Sequence, residues 1–310
     1  MTYSSLFRFA IFAAVSTALT TNSLPAQAKL QAVASTPDLA ALLTAIGGDR
    51  VSVKSLAKPT EDPHFVDAKP SHIVTLNRAD VLIEGGAELE IGWLPALLES
   101  ARNDKLASGA PGHIVALQGI RLSEIPTSFD RAKGDVHSLG NPHFLMDPAN
   151  VKVVVAHIAE RLSMIDPPSA AVYAANLKRF DAMLDAKTVE WDSRMAPYAG
   201  AKIVTYHKDF VYFADRFKLQ IVETLEPKPG IAPSPAHLAR VIETIRSNAV
   251  RVIIVQPFHN RRTAENVARQ AGASVVDAAQ QPGAIKNTDT YFALMDSIVN
   301  SLATALGAGK

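Results

Sequence analysis

Apolar residues along this chain follow two alternating patterns. Short runs rich in Val, Ile and Leu are separated by longer stretches in which apolar positions repeat every three or four residues. In the first half, Gln31–Ser35, Val51–Leu56, Val81–Glu84 and Ile114–Leu117 read as strands. Between them Pro37–Ile46, Ser71–Arg78 and Trp93–Arg102 read as helices. The second half repeats the rhythm, with strands predicted at Lys202–Tyr206, Gln220–Glu223, Val250–Val255 and Ser274–Val276. Phe210–Phe217, Pro235–Asn248, Thr263–Ala271 and about Asp289–Leu306 are the helices predicted there. Strands alternating with helices imply mostly parallel sheets with helices on their faces.

The two halves meet at one long amphipathic segment, residues 167–196. Pro167 and Pro168 suit a helix start, and no further Pro or Gly follows until Pro197. Leu177, Phe180, Leu184, Trp191 and Met195 form a single apolar stripe. At about 1.5 Å per residue such a helix runs roughly 40 Å, the span of a whole lobe. The expected organisation is α/β: a lobe over residues 29–166, a rigid connecting helix over 167–196 and a second lobe over 197–310.

The N-terminus adds a compartment. Residues 1–28 carry only Arg8 as a charge, then an apolar run from Phe9 to about Leu19, and close on Ala26-Gln27-Ala28. That is the form of a cleaved export signal, and the run is about half of the roughly 20 residues a spanning helix needs. Removing these 28 of the 310 residues takes 31 basic residues to 30 against 30 acidic ones, so the mature chain is formally neutral. A neutral balance argues against nucleic acid and anionic membrane surfaces as partners. With no Cys there is no disulfide framework, no thiolate metal site and no lipidated cysteine. The expectation is a free periplasmic protein, monomeric and without membrane insertion.

Nine histidines carry the candidate chemistry. His64 lies in a turn-rich stretch after the second strand, and His143 sits just before Asp147-Pro148 opens a helix. His207 and Asp277 each follow a predicted strand of the second half. Ligands of open parallel sheets bind beyond the carboxyl ends of the strands, so these two belong to one edge of the second sheet. His64 and His143 can face them across a cleft. Three imidazoles and one carboxylate suit Zn(II) well and Mn(II) less well, and four protein ligands leave no open position for chemistry. Position alone also allows each to be an ordinary cap or turn residue. An exported zinc-dependent hydrolase, with Glu61 or Asp62 as base, is the alternative class.

Ordered blocks of sequence resemble those of zinc- and manganese-binding solute receptors of ABC importers, the cluster A-I binding proteins. Asp62-Pro63-His64 with Lys69-Pro70-Ser71 is similar to the first ligand block, and Asn141 through Pro148 is similar to the second. Tyr206-His207-Lys208-Asp209-Phe210 is similar to the third, and Glu226-Pro227-Lys228-Pro229-Gly230 to the Pro-rich stretch that follows it. The resemblance implies His64, His143 and His207 as nitrogen ligands, Asp277 as the carboxylate, and two lobes on a rigid helix. It also implies a membrane permease as partner; a periplasmic metallochaperone is a further candidate partner that the resemblance does not itself supply. His207 in the third block tilts the ion toward zinc, with manganese as the alternative. The chain departs from the pattern at His72 and Gln256, where Asp and Glu are usual, and its fourth block around Asp277 is short. In residues 127–140 only His137 is a histidine, and it is read as an accessory residue for metal capture. His113, His157, His237 and His259 are assigned no role.

Overall fold

The computed structural model describes residues 28–126, 137–228 and 230–308. All of the expected export signal except Ala28, and residues 127–136 of the expected loop, lie outside them. No helix of the described residues is long and apolar enough to cross a membrane.

The first lobe carries β1 (Leu30–Ala34), β2 (Val51–Ser55), β3 (Val81–Glu84) and β4 (His113–Val115), in the order β2-β1-β3-β4. Its helices are α1 (Pro37–Gly47), α2 (Pro70–Asn77), α3 (Leu94–Ala101) and α4 (Pro148–Ile165). The second lobe carries β5 (Lys202–Thr205), β6 (Gln220–Thr224), β7 (Val252–Val255) and β8 (Ser274–Asp277), in the order β6-β5-β7-β8. Here the helices are α6 (Val211–Phe217), α7 (Pro235–Ser247), α8 (Arg261–Ala271) and α9 (Tyr291–Gly307). Every strand pairing is parallel, so each sheet needs helices on both faces to bury its apolar sides.

Between the lobes runs α5 (Ala170–Met195), 26 residues and about 39 Å long at 1.5 Å per residue. Helix is expected from Pro167, but Pro167–Ser169 form a 3-10 turn and the α-helix starts after it. The predicted stripe is buried at Phe180, Leu184, Trp191 and Met195, while Leu177 is only partly buried. Strand ends also differ from the sequence pattern in a way hydrogen bonding explains. Val250 is apolar but not part of β7, because its N–H closes the end of α7 on the Ile245 carbonyl at 3.0 Å.

Packing decides how the lobes relate. One continuous core joins Leu39, Leu42 and Val154 of the first lobe to Tyr173, Phe180 and Trp191 of α5. It continues without a break into Phe213, Leu294 and Leu302 of the second lobe. Two smaller cores, around Trp93 and around Ile253, fill the outer face of each sheet. Phe180 packs against Phe292 with tilted rings 4.9 Å apart, and the Trp191 indole N–H donates to Asp296 at 2.8 Å. A helix packed into both lobes through one core is a stiff joint. The carboxyl ends of both sheets face the cleft it leaves between them.

Candidate metal centre

His64 is placed by a turn that its own neighbour builds. Asp62 Oδ1 accepts the His64 backbone N–H at 3.0 Å and the His64 Nδ1–H at 2.7 Å. The Trp93 indole N–H, buried in the outer core, ties the loop down through the Pro63 carbonyl at 2.9 Å. His143 sits in a second Asx-type turn, its N–H donating to Asn141 Oδ1 at 3.0 Å. Phe144, Leu145 and Met146 then bury themselves as a 3-10 turn, and Asp147 caps α4 by accepting the Ala149 N–H at 2.9 Å. His207 follows β5, where Thr205 Oγ1 donates to its carbonyl at 2.6 Å.

One nitrogen from each of His64, His143 and His207 lies within 4.8 Å of the other two. The ring centroids stand 5.2, 5.4 and 5.5 Å apart and the rings meet edge to face. His143 and His207 are buried, and the His64 side chain is 11% exposed. In His64 and His207 the hydrogen bond of Nδ1 fixes the tautomer. An ionised carboxylate only accepts, so the proton of His64 is on Nδ1 facing Asp62, and that of His207 is on Nδ1 facing Glu226 Oε2 at 2.8 Å. His143 is hydrogen-bonded to the Gln280 side chain, whose amide N–H donates to the Asp209 carbonyl at 2.7 Å. The Nε2 atoms of His64 and His207 are thereby left as acceptors. Those of His64 and His143 are buried and make no hydrogen bond among the described residues.

The electrostatics suit a cation. Burial, and then the charges His64, His207 and His137 can carry, hold His143 well below the ordinary imidazole range, so it is neutral at physiological pH. Burial pushes His207 down, but its bond to Glu226 and the charges of Asp209, Glu226 and Asp62 outweigh that and raise it. Burial likewise raises Asp62, and the His64 contacts with the His207 charge reverse the sign and leave it lowered. Three imidazole nitrogens backed by two carboxylates could bind a divalent ion, in the way outer carboxylates orient and strengthen imidazole ligands.

Asp277 is not brought to this group. It ends β8, but β8 is the edge strand, two places from β5, and strands lie about 4.8 Å apart. Its carboxylate pairs with the Arg261 guanidinium and the side chain is 51% exposed. His207 leaves β5 where the order reverses between β5 and β7, the place at which open parallel sheets gather ligands, whereas Asp277 leaves the edge strand. Neither carboxylate proposed as a hydrolytic base is poised as one: Asp62 is held by His64, and Glu61 accepts the Lys58 N–H at 3.1 Å.

Other residues emerge only from the structure. Glu226 follows β6, which pairs with β5, so parallel register sets it beside His207. Gln280 reaches across from the second lobe to orient His143. His259, assigned no role from sequence, stacks on Tyr206 at 4.3 Å and lies 6.1 Å from the His207 ring. His137 stands 5.2 Å from His64. His113 and His237 are engaged elsewhere, with Glu84 at 2.9 Å and the Thr224 carbonyl at 3.0 Å.

Comparison with known proteins agrees with this architecture. The family described as zinc-uptake complex component A, periplasmic (ZnuA), matches residues 32–305. The iron ABC transporter substrate-binding lipoprotein MtsA of Streptococcus pyogenes serotype M1 is 25% identical over 288 residues, 90% of this chain and 89% of MtsA. The high-affinity zinc uptake system protein ZnuA of Paracoccus denitrificans is 28% identical over 331 residues, 94% of this chain and 96% of its own length. Among solved structures, a zinc-bound deletion mutant of ZnuA superposes with a TM-score of 0.76 at 25% identity, covering 91% of this chain and all of that one. The Mn2+ complex of FpvC from Pseudomonas aeruginosa, at 21% identity and a TM-score of 0.74, shares the fold over 91% of this chain. These relatives are solute-binding proteins and not enzymes. The chain belongs to the ZnuA family, as a metal-binding substrate-binding protein that works with the membrane importer of an ABC transporter.

Proposed function

We propose that this protein is a periplasmic zinc receptor, that His64, His143 and His207 hold the ion through Nε2, and that it hands the ion to the permease of its importer. One observation carries the reading: three imidazole nitrogens converge within 4.8 Å, with Asp62 and Glu226 bonded to Nδ1 of His64 and His207 and the Gln280 side chain bonded to His143. Nitrogen-only donors favour zinc over manganese, which prefers oxygen. The ZnuA relative is named for zinc uptake and the FpvC complex holds manganese, so the competing ion is a real alternative. A monomeric receptor supplied by a metallochaperone belongs to the same reading. Titration of metal-free protein with zinc, in competition with manganese at buffered free-metal levels, tests it. One tightly bound zinc per chain that manganese does not displace is the expected result. Unaltered zinc binding in a His143→Ala, His207→Ala double variant would sink the ligand assignment.

A further inference from the structure

We propose that Gln281 and Asp38 form a clasp between the lobes that sets how fast the ion leaves the site. This rests on the reading of His64, His143 and His207 as ligands. Residues 278–290 leave β8 of the second lobe and reach across to the first before α9 begins. Ala278 and Ala279 are buried in the shared core, and Gln280 and Gln281 are buried directly after them. The two glutamines face different partners. Gln280 bonds the Asp209 carbonyl at 2.7 Å and the His143 ring, while Gln281 reaches the start of α1. With Thr36, Asp38, Gly85 and His143 they surround a cavity of only about 20 Å³, so the crossing packs almost without space. Further along, Gly283 is left-handed at φ 81°, and a Cβ there would stand 3.4 Å from the Pro59 ring of the first lobe. Its N–H donates to the Thr288 carbonyl at 2.8 Å and closes the segment on itself.

The clasp exists because α1 does not complete its own N-terminus. Pro37 has no N–H, and the Ala40 N–H makes the first helical bond, to the Thr36 carbonyl at 3.0 Å. The N–H groups of Asp38 and Leu39 are left over. Asp38 Oδ1 accepts the one from Leu39 at 2.8 Å and also the Thr36 hydroxyl, so Thr36 caps no N–H from the position where a cap is usual. The remaining N–H, that of Asp38, is capped from the other lobe, where Gln281 Oε1 accepts it at 3.1 Å. Burial raises the Asp38 carboxyl, and the Gln281 amide beside it is one of the groups that favour its charged form. These groups are satisfied only while the lobes touch, and a buried polar group left unpaired is costly. For His207 to draw away from His64, the second lobe has to move off the first, so release of the ion requires the clasp to open. Asp38 and Gln281 are positioning residues, and neither is a ligand.

The rate at which the zinc-loaded full chain loses zinc to excess chelator reads the clasp. In Gln281→Ala it should rise about tenfold, the scale of one buried hydrogen bond, with the association rate changed less than about twofold. Gln281→Glu keeps the acceptor for the helix N–H but sets two carboxylates against each other, and it should release zinc about as fast as Gln281→Ala. Adding Asp38→Asn to Gln281→Glu rebuilds the pair with its roles exchanged, the new amide facing the new carboxylate. That double variant should return to within about threefold of the native rate, because the two changes are coupled and not additive. A role confined to the stability of each lobe would lower the unfolding midpoint without this rescue. Native release rates in both single Gln281 variants would overturn the proposal. So would a double variant that loses zinc as fast as Gln281→Glu alone. Failure of the underlying reading looks different: zinc would then stay bound in the His143→Ala, His207→Ala double variant.

Discussion

Both sheets place their strands in the same order, second-first-third-fourth within each lobe, and all strands are parallel. Yet the lobes present their proposed ligands by different means. The second lobe offers His207 directly from the end of β5, at the point where strand order reverses, and sets Glu226 beside it through the β5–β6 register. The first lobe offers His64 and His143 from irregular segments, each fixed by its own Asx turn on Asp62 or Asn141. A strand end is positioned by the whole sheet. A loop must be positioned residue by residue, which is why the first lobe uses Trp93, Asn141 and Asp147 as local anchors.

The largest way to break the comparison is to remove the second lobe's ligand. His207→Ala leaves only first-lobe nitrogens on the ion and strips Glu226, 12% exposed, of its imidazole partner. Loss of a zinc ligand together with a stranded carboxylate should lower zinc affinity by about a thousandfold or more, beyond the roughly 10–100-fold of outer-shell changes. Competition against a chromophoric chelator measures it. The thermal stabilisation that saturating zinc gives the native protein should shrink by the corresponding logarithm.

A second test asks whether the lobes are energetically separate at all. The core that contains Trp191 runs through both, and Trp191 is 1% exposed with its N–H bonded to Asp296. Trp191→Ala should cost about 4 kcal/mol, a typical large-to-small core loss. Calorimetry of native and variant protein should each show one transition, with the variant shifted down as a whole. Two resolved transitions in the variant would mean that α5 joins lobes that fold alone.

Whether a feature is legible in the sequence depends on whether it lives on one segment or between two. The alternating rhythm locates all eight strands to within a few residues, because a buried parallel strand is a local apolar run. The stripe on residues 167–196 likewise marks the connecting helix. His64, His143 and His207 are readable from their blocks, and a shared cleft is expected for them, but the distances between them depend on how the two lobes meet. Asp277 misleads because a strand end says nothing about whether the strand is central or at the edge. Glu226 and Gln280 are invisible as orienters: each acts on a histidine 19 or more residues away, through pairing that no periodicity encodes.

In the first lobe, Glu90 adds a pH dependence of its own. Its carboxyl is buried, and burial, with the nearby Glu84 charge, pushes it from 4.5 to about 7 despite bonds from Ser35, Gly85 and Gly86. For an acid raised on folding, the native state keeps a proton that the unfolded chain loses. Its contribution is therefore complete below about pH 4.5 and disappears as pH rises to about 7, a change of about 3 kcal/mol. Glu90→Gln should flatten that slope. Urea unfolding at pH 5 and pH 8 should show native protein losing more stability than the variant over the interval, and equal losses would exclude Glu90 as the source.

The finest contrast is between the two kinds of orienting group. Glu226 supports His207 at Nδ1 with a charge, and Gln280 supports His143 with a neutral amide. A carboxylate raises the basicity of its imidazole and also the proton's hold on it, which is the direction found for His207. Protons should therefore compete with zinc first at His207, from above the ordinary imidazole value of 6.5 downward. Glu226→Gln should weaken zinc binding at pH 8 by about 10–100-fold and move the acid release of zinc to lower pH. Gln280→Ala removes orientation without removing charge, so its loss should lie at the low end, about tenfold, with the pH of release unmoved. Zinc affinity measured from pH 5 to pH 8 separates the two. If both variants shift the release pH alike, His207 and His143 are supported in the same way and the electrostatic difference between the lobes is not functional.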